Sequence, residues 1–142
     1  MAIFDGLNVS KRRWFWFLVV LFLYPVFVLG YVWSHCYNSG FEGGKLGQLD
    51  AYRHTLASAV VTYTLSSRAV DLLTLIESKS NKSGLMDRHN NRIGTNLGRQ
   101  AARFTDIENQ VFKSVKLGAE NATDSNQITW LPKAQWKNSL FW

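Results

Sequence analysis

The 142-residue chain has one cysteine, Cys36, so no disulfide can form within it. Trp33, Ser34 and His35 precede it, which are not the small residues expected before a lipid-modified cysteine. An unpaired thiol is the simpler expectation, ahead of a disulfide between chains. Proline is scarce too: Pro25 and Pro132 are the only two. Acidic residues number ten against sixteen lysines and arginines, leaving a net charge of +6. Lys11, Arg12 and Arg13 carry three of those charges and Asp5 offsets one, so the rest of the chain holds +4 (6 − 3 + 1). That surplus suits anionic lipid headgroups or polymers but is too thin for a nucleic-acid stripe, so nucleic acid is not an expected partner. There is no internal repeat, glycine-rich phosphate loop, G-x-S-x-G elbow or H-E-x-x-H pair, which removes several common routes to nucleotide or hydrolase chemistry.

What the chain does have, first, is a long apolar run. Residues 14–33 carry no charge, and twenty residues at 1.5 Å each match a hydrocarbon core of about 30 Å. Trp14, Trp16, Tyr31 and Trp33 stand near its ends, where amphipathic rings favour headgroup level. Pro25 is tolerated in such a helix. The basic triplet at one flank predicts an N-terminus in the cytoplasm and a C-terminal part outside it, in a single-pass inner-membrane arrangement. A cleaved signal peptide needs a shorter run and a small-residue cleavage site. The bulky residues up to Trp33 therefore favour an uncleaved signal anchor.

The expected organisation is a cytoplasmic tail over 1–13, a transmembrane helix over 14–33, a glycine-rich linker over 34–47, a helical domain over 48–120 and an irregular aromatic tail over 121–142. Apolar residues at helical spacing predict helices over about 46–65, 67–78, 87–104 and 107–117. The fold class is all-α, one membrane helix followed by a bundle of three to four helices. The tail's Trp130, Leu131, Trp136, Phe141 and Trp142 are expected to pack on the domain or enter the membrane interface.

Two stretches hold two of the three histidines. In the first, Asp50 and His54 are four apart and share a helix face with Ala57 and Val61. A carboxylate beside an imidazole can orient it, raise its basicity or share a metal with it. Arg53 beside them can pair with Asp50 or hold an anion. The ordinary alternative is Asp50 near a helix start and His54 as a satisfied core residue. In the second, the apolar stripe of Met86, Ile93 and Leu97 runs through Asn90, whose amide needs a partner if buried. Asp87 suits a helix cap, but a cap does not explain His89, Asn90 and Asn91 directly after it. Gly94 and Gly98, four apart, allow another helix or a ligand to come close. Glu77 is a further candidate carboxylate. Mixed imidazole and carboxylate donors suit zinc, manganese or iron.

Asp50, Ala51, Arg53 and His54, followed by Met86, Asp87, His89, Asn90, Asn91 and Gly94, resemble a bacterial domain of unknown function with a D-A-x-R-H…M-D-x-H-N-N-x-x-G pattern, found alone or at the ends of large secreted, toxin-like proteins. The resemblance covers roughly residues 48–100. The family often has His-Glu between the two blocks, where this chain has Ile76 and Glu77. It implies that the polar cluster is a site and carries no settled activity.

The expected function is a membrane-anchored hydrolase, metal-dependent through zinc or manganese, acting on a lipid or cell-wall substrate of the envelope. His54, His89, Asp50 and Asp87 are its expected metal ligands and catalytic groups, and Arg53, Asn90 and Asn91 its substrate contacts. The alternative is a non-enzymatic envelope protein that binds a partner protein, a polymer or the membrane, its cluster serving as a polar packing network.

Overall fold

A computed structural model describes residues 9–76 and 82–137, apart from the side chains of residues 9, 73, 75 and 76. The N-terminal tail to residue 8, Glu77, and the aromatics Phe141 and Trp142 lie outside the described residues. Five helices dominate: α1 (Val9–Asn38), α2 (Gln48–Thr64), α3 (Ser67–Ile76), α4 (Lys82–Gln100) and α5 (Phe104–Lys116). Two short parallel strands follow, β1 (Ala119–Glu120) and β2 (Thr129–Trp130), pairing Ala119 with Thr129 and Glu120 with Trp130.

α1 is apolar and long enough to cross a membrane. Nearly all its side chains up to Phe27 are exposed, including Trp14, Phe17, Leu21 and Phe22. From Val28 one face turns inward: Val28, Val32 and Cys36, four apart, are buried against the domain. The helix therefore runs past Trp33 into the expected linker. Side-chain bonds to the preceding turn, from Ser34 to the Tyr31 carbonyl and from Asn38 to the Ser34 carbonyl, accompany its last turns. Cys36 is a buried free thiol.

α1 and α2 run antiparallel. The Tyr24 hydroxyl lies 2.6 Å from that of Thr64 at one end, and Arg53 lies over the Trp33 ring at the other. α2 is the central helix, in contact with all four others and β2. Its buried residues are mostly small, among them Ala51, Thr55, Ser58 and Ala59, which is what packing on several sides requires. Tyr52, Arg53 and Leu56 are larger, and Tyr52, fully buried, donates a 2.8 Å hydrogen bond to Glu108 on α5. Burial, reinforced by that carboxylate, pushes its phenol well above the usual tyrosine range.

α2 and α4 run parallel and very close. A Cβ on Gly94 would lie 2.3 Å from the Thr55 carbonyl oxygen, and one on Gly98 would lie 2.4 Å from that of Ala59. The two glycines admit α2, and Asp87, at the start of the same face of α4, is thereby brought opposite Asp50 and His54.

The tail is more ordered than an irregular segment. Trp130 is buried, and the Leu131 amide donates to the Leu46 carbonyl at 2.9 Å. Lys137 and Lys45 exchange two backbone bonds of 3.1 Å. Trp136 lies across Gly43 and Gly47, where a Cβ would meet its ring at 2.6 and 3.1 Å, and its indole N–H bonds the Leu131 carbonyl. The tail thus closes over the loop that leads into α2. For Trp130, Leu131 and Trp136 the domain is the packing partner.

Candidate metal centre

α2 starts at Gln48, with Gly47 as its N-cap and Asp50 in the first turn. Asp50 is 2 % exposed. Its Oδ2 accepts the Leu46 N–H at 2.7 Å and its Oδ1 accepts the Arg53 guanidinium. Leu46 has a φ of 76°, unusual for a leucine. The Asp50 carboxylate holds its amide while its carbonyl takes the tail's Leu131. Asp50 therefore ties together the α2 start, the loop before it and the tail.

His54, one turn on, points its Nε2 between two carboxylates, 3.5 Å from Asp50 Oδ1 and 3.7 Å from Asp87 Oδ1. Both separations exceed a good hydrogen bond. They match the spacing of donors around one ion: four ligands at about 2.1 Å from a tetrahedral metal stand about 3.4 Å apart. The three donor atoms lie within 4.8 Å of one another, close enough to hold one metal ion. The His54 and Asp87 side chains are 15 % and 21 % exposed, the Asp87 Oδ1 that faces His54 is itself buried, and the Asp50 side is closed.

Asp87 is no helix cap. α4 begins at Lys82, so Asp87 sits in its second turn and faces α2. The next residues diverge, because each step along a helix turns the side chain by about 100°. His89 donates from Nε2 to the Gln127 carbonyl at 2.8 Å and is not part of the three-residue group. Asn90, fully buried, makes a two-bond clamp on β2: its Nδ2 donates to the Thr129 carbonyl at 2.8 Å and its Oδ1 accepts the Thr129 N–H at 3.0 Å. Asn91 accepts from Ser58 on α2 at 2.9 Å and donates to Thr74 on α3 at 3.3 Å. Arg53 is buried between Asp50 and Trp33. The structure thus joins Asp50, His54 and Asp87, puts Arg53 behind Asp50, and turns His89, Asn90 and Asn91 toward the tail and the neighbouring helices.

Replacing Asn90 with alanine should therefore loosen the tail. It strands the Thr129 N–H and carbonyl in a buried place, at a cost of about 2–3 kcal/mol. A thermal melt would show the loss, and hydrogen exchange would show residues 119–131 losing protection first. A melt like that of the unaltered chain would mean that β2 is held without the clamp.

The sequence signal for Ser58, Thr74 and Thr129 as polar partners is weak, since isolated hydroxyl residues are common on helices and strands. Compared with known proteins, the chain matches no family model, no curated protein and no solved structure.

Proposed function

We propose that the protein is a membrane-anchored hydrolase of the cell envelope, with a divalent metal held by Asp50, His54 and Asp87. The observation that carries this reading is the position of His54 Nε2 between two carboxylate oxygens at 3.5 and 3.7 Å. One imidazole and two carboxylates suit zinc or manganese and leave at least one coordination position for water. A metal held there would lower the pKa of bound water, the chemistry that ester, phosphodiester or amide hydrolysis requires. Arg53 behind Asp50 orients the carboxylate, as residues behind a ligand commonly do. The apolar α1 anchors the domain. The triplet Lys11-Arg12-Arg13 supports a cytoplasmic N-terminus, with the site on the other side. The resemblance to the D-A-x-R-H…M-D-x-H-N-N-x-x-G domain agrees with a site at these positions.

The test is zinc and manganese titration of the full chain in detergent micelles against a competing chelator. One ion per chain is expected, with affinity reduced at least about a hundredfold in His54→Ala, since even partners behind a ligand are worth ten- to a hundredfold. His54 makes no hydrogen bond among the described residues and is partly exposed, so the variant should melt with the unaltered chain. Lipid and peptidoglycan hydrolysis would then be assayed with and without chelator. A chain that takes up no ion ends the metal reading.

A second reading is favoured by the bonding of Arg53, Asn90 and Asn91, whose polar groups hold other elements in place. The cluster would then be a packing network in a non-enzymatic envelope protein that binds a partner or the membrane.

A further inference from the structure

α3 and α4 enclose a groove of about 640 Å³ on the flank of the domain. Arg88, Arg92 and Arg99 line its α4 wall. Their spacings of four and seven put all three on one helix face, over a rise of about 16 Å. None makes an ion pair with another described residue. Arg92 and Arg99 are exposed. The opposite wall supplies Asp71 and Thr74, so among the described residues three guanidiniums face one carboxylate. Three arginines in a row with so little counter-charge cost stability through mutual repulsion unless something anionic neutralises them.

The groove's direction identifies the anion. α2 and α4 are parallel, and Gly98 packs beside Ala59 and Thr62. One turn further, Thr64 touches Tyr24 on α1. The Arg99 end therefore faces the exposed apolar half of α1, beside the exposed Leu65. The Arg88 end adjoins Asp87. The groove runs along α4 from the Arg99 end to Leu85, which gives it an apolar surface.

We infer that this groove binds the headgroup phosphate of an anionic phospholipid from the membrane that α1 crosses. Planar guanidiniums match phosphate oxygens in two-bond geometry, so an anionic phospholipid in the leaflet that the domain faces would supply the missing counter-charge. The site is independent of any metal at Asp50, His54 and Asp87. The lipid would enter beside Arg99, with Arg92 as its central contact and its acyl chains left against α1.

The experiment is calorimetric titration of the full chain in uncharged detergent, with EDTA present. The probe is dioctanoyl phosphatidylglycerol, compared with dioctanoyl phosphatidylcholine and inorganic phosphate. The glycerol lipid is expected to bind at least about tenfold more tightly than either comparator, and Arg92→Gln/Arg99→Gln to weaken it at least about tenfold. Arg92→Lys/Arg99→Lys should keep most of the affinity, and Lys11→Gln/Arg12→Gln/Arg13→Gln nearly all of it. If the glutamine variant melts early, the lysine variant together with the salt dependence of the unaltered chain decides the matter: retained affinity that falls with salt supports the groove, and affinity indifferent to salt overturns it. Equal binding of the two lipids, an unchanged affinity in the glutamine variant, or inorganic phosphate binding as tightly as the lipid would each overturn the proposal. Because EDTA is present throughout, the result does not depend on the metal reading.

Discussion

Gly94→Ala is expected to destabilise the domain by about 3 kcal/mol, and Gly98→Ala by a similar amount, with the double variant failing to fold. The added methyl at residue 94 would stand 2.3 Å from the Thr55 carbonyl oxygen and 3.0 Å from the Ser58 Cβ. At residue 98 it would stand 2.4 Å from the Ala59 oxygen. The two closest atoms belong to the backbone of a neighbouring helix, which no change of rotamer can move. The helices must separate, and overpacking of this kind costs about 1–3 kcal/mol, sometimes more. Separation also costs the Asn91–Ser58 bond and the approach of Asp87 to His54. Small domains are stable by only about 5–15 kcal/mol, so two such losses at one crossing approach the whole margin. Gly30→Ala is the control: a Cβ there has nothing within 4 Å, and alanine is the better helix former. Melting of the three variants followed by circular dichroism in micelles is the measurement. Gly94→Ala melting with Gly30→Ala would mean that the α2–α4 crossing is looser than described.

What could be read from sequence depended on whether the cause was local. The apolar α1 was legible because a long charge-free run is visible in the sequence whatever surrounds it. Its end was not, because burial of Val28, Val32 and Cys36 against the domain carries the helix beyond Trp33. The glycine pair announced a close approach, and α2 makes it. Asp50 and His54 were legible as a pair from their spacing alone. Asp87 was ambiguous until the start of α4 was known: beginning at 87 it would be a cap, and beginning at Lys82 it is a residue of the second turn facing α2. The three polar residues His89, Asn90 and Asn91 read as one motif in the sequence. Helical rotation sends them to Gln127, to Thr129, and to Ser58 with Thr74. Those partners lie 17 to 39 positions away, and nothing in the local pattern encodes them. The tail's order has the same origin. Two-residue strands have no periodicity to detect, and β2 is held by a buried asparagine as well as by its neighbour strand.

Asp50→Ala and Asp87→Asn should behave as opposites, and the contrast separates the two readings of the cluster. Asp50→Ala removes the carboxylate that pairs with Arg53, itself 6 % exposed, and takes the acceptor from the Leu46 amide. Breaking a buried ion pair by deleting one partner costs about 3–5 kcal/mol because the other charge stays behind. The strained Leu46 would relax, and its carbonyl would release Leu131 and with it the tail. Asp87 is different. Its side chain is 21 % exposed, against 1 % for that of Asp50. The asparagine side chain keeps the shape of the aspartate while losing the charge that a metal requires. The expected outcome is a melt within about 1 kcal/mol of the unaltered chain, the centre of the range for single substitutions, and zinc affinity lower by about a hundredfold. Asp50→Ala should instead lose fold and zinc together. An Asp87→Asn variant that unfolds as readily as Asp50→Ala would make the cluster a packing network. One that keeps both its fold and its zinc would take Asp87 out of the ligand set and leave too few donors for a catalytic ion.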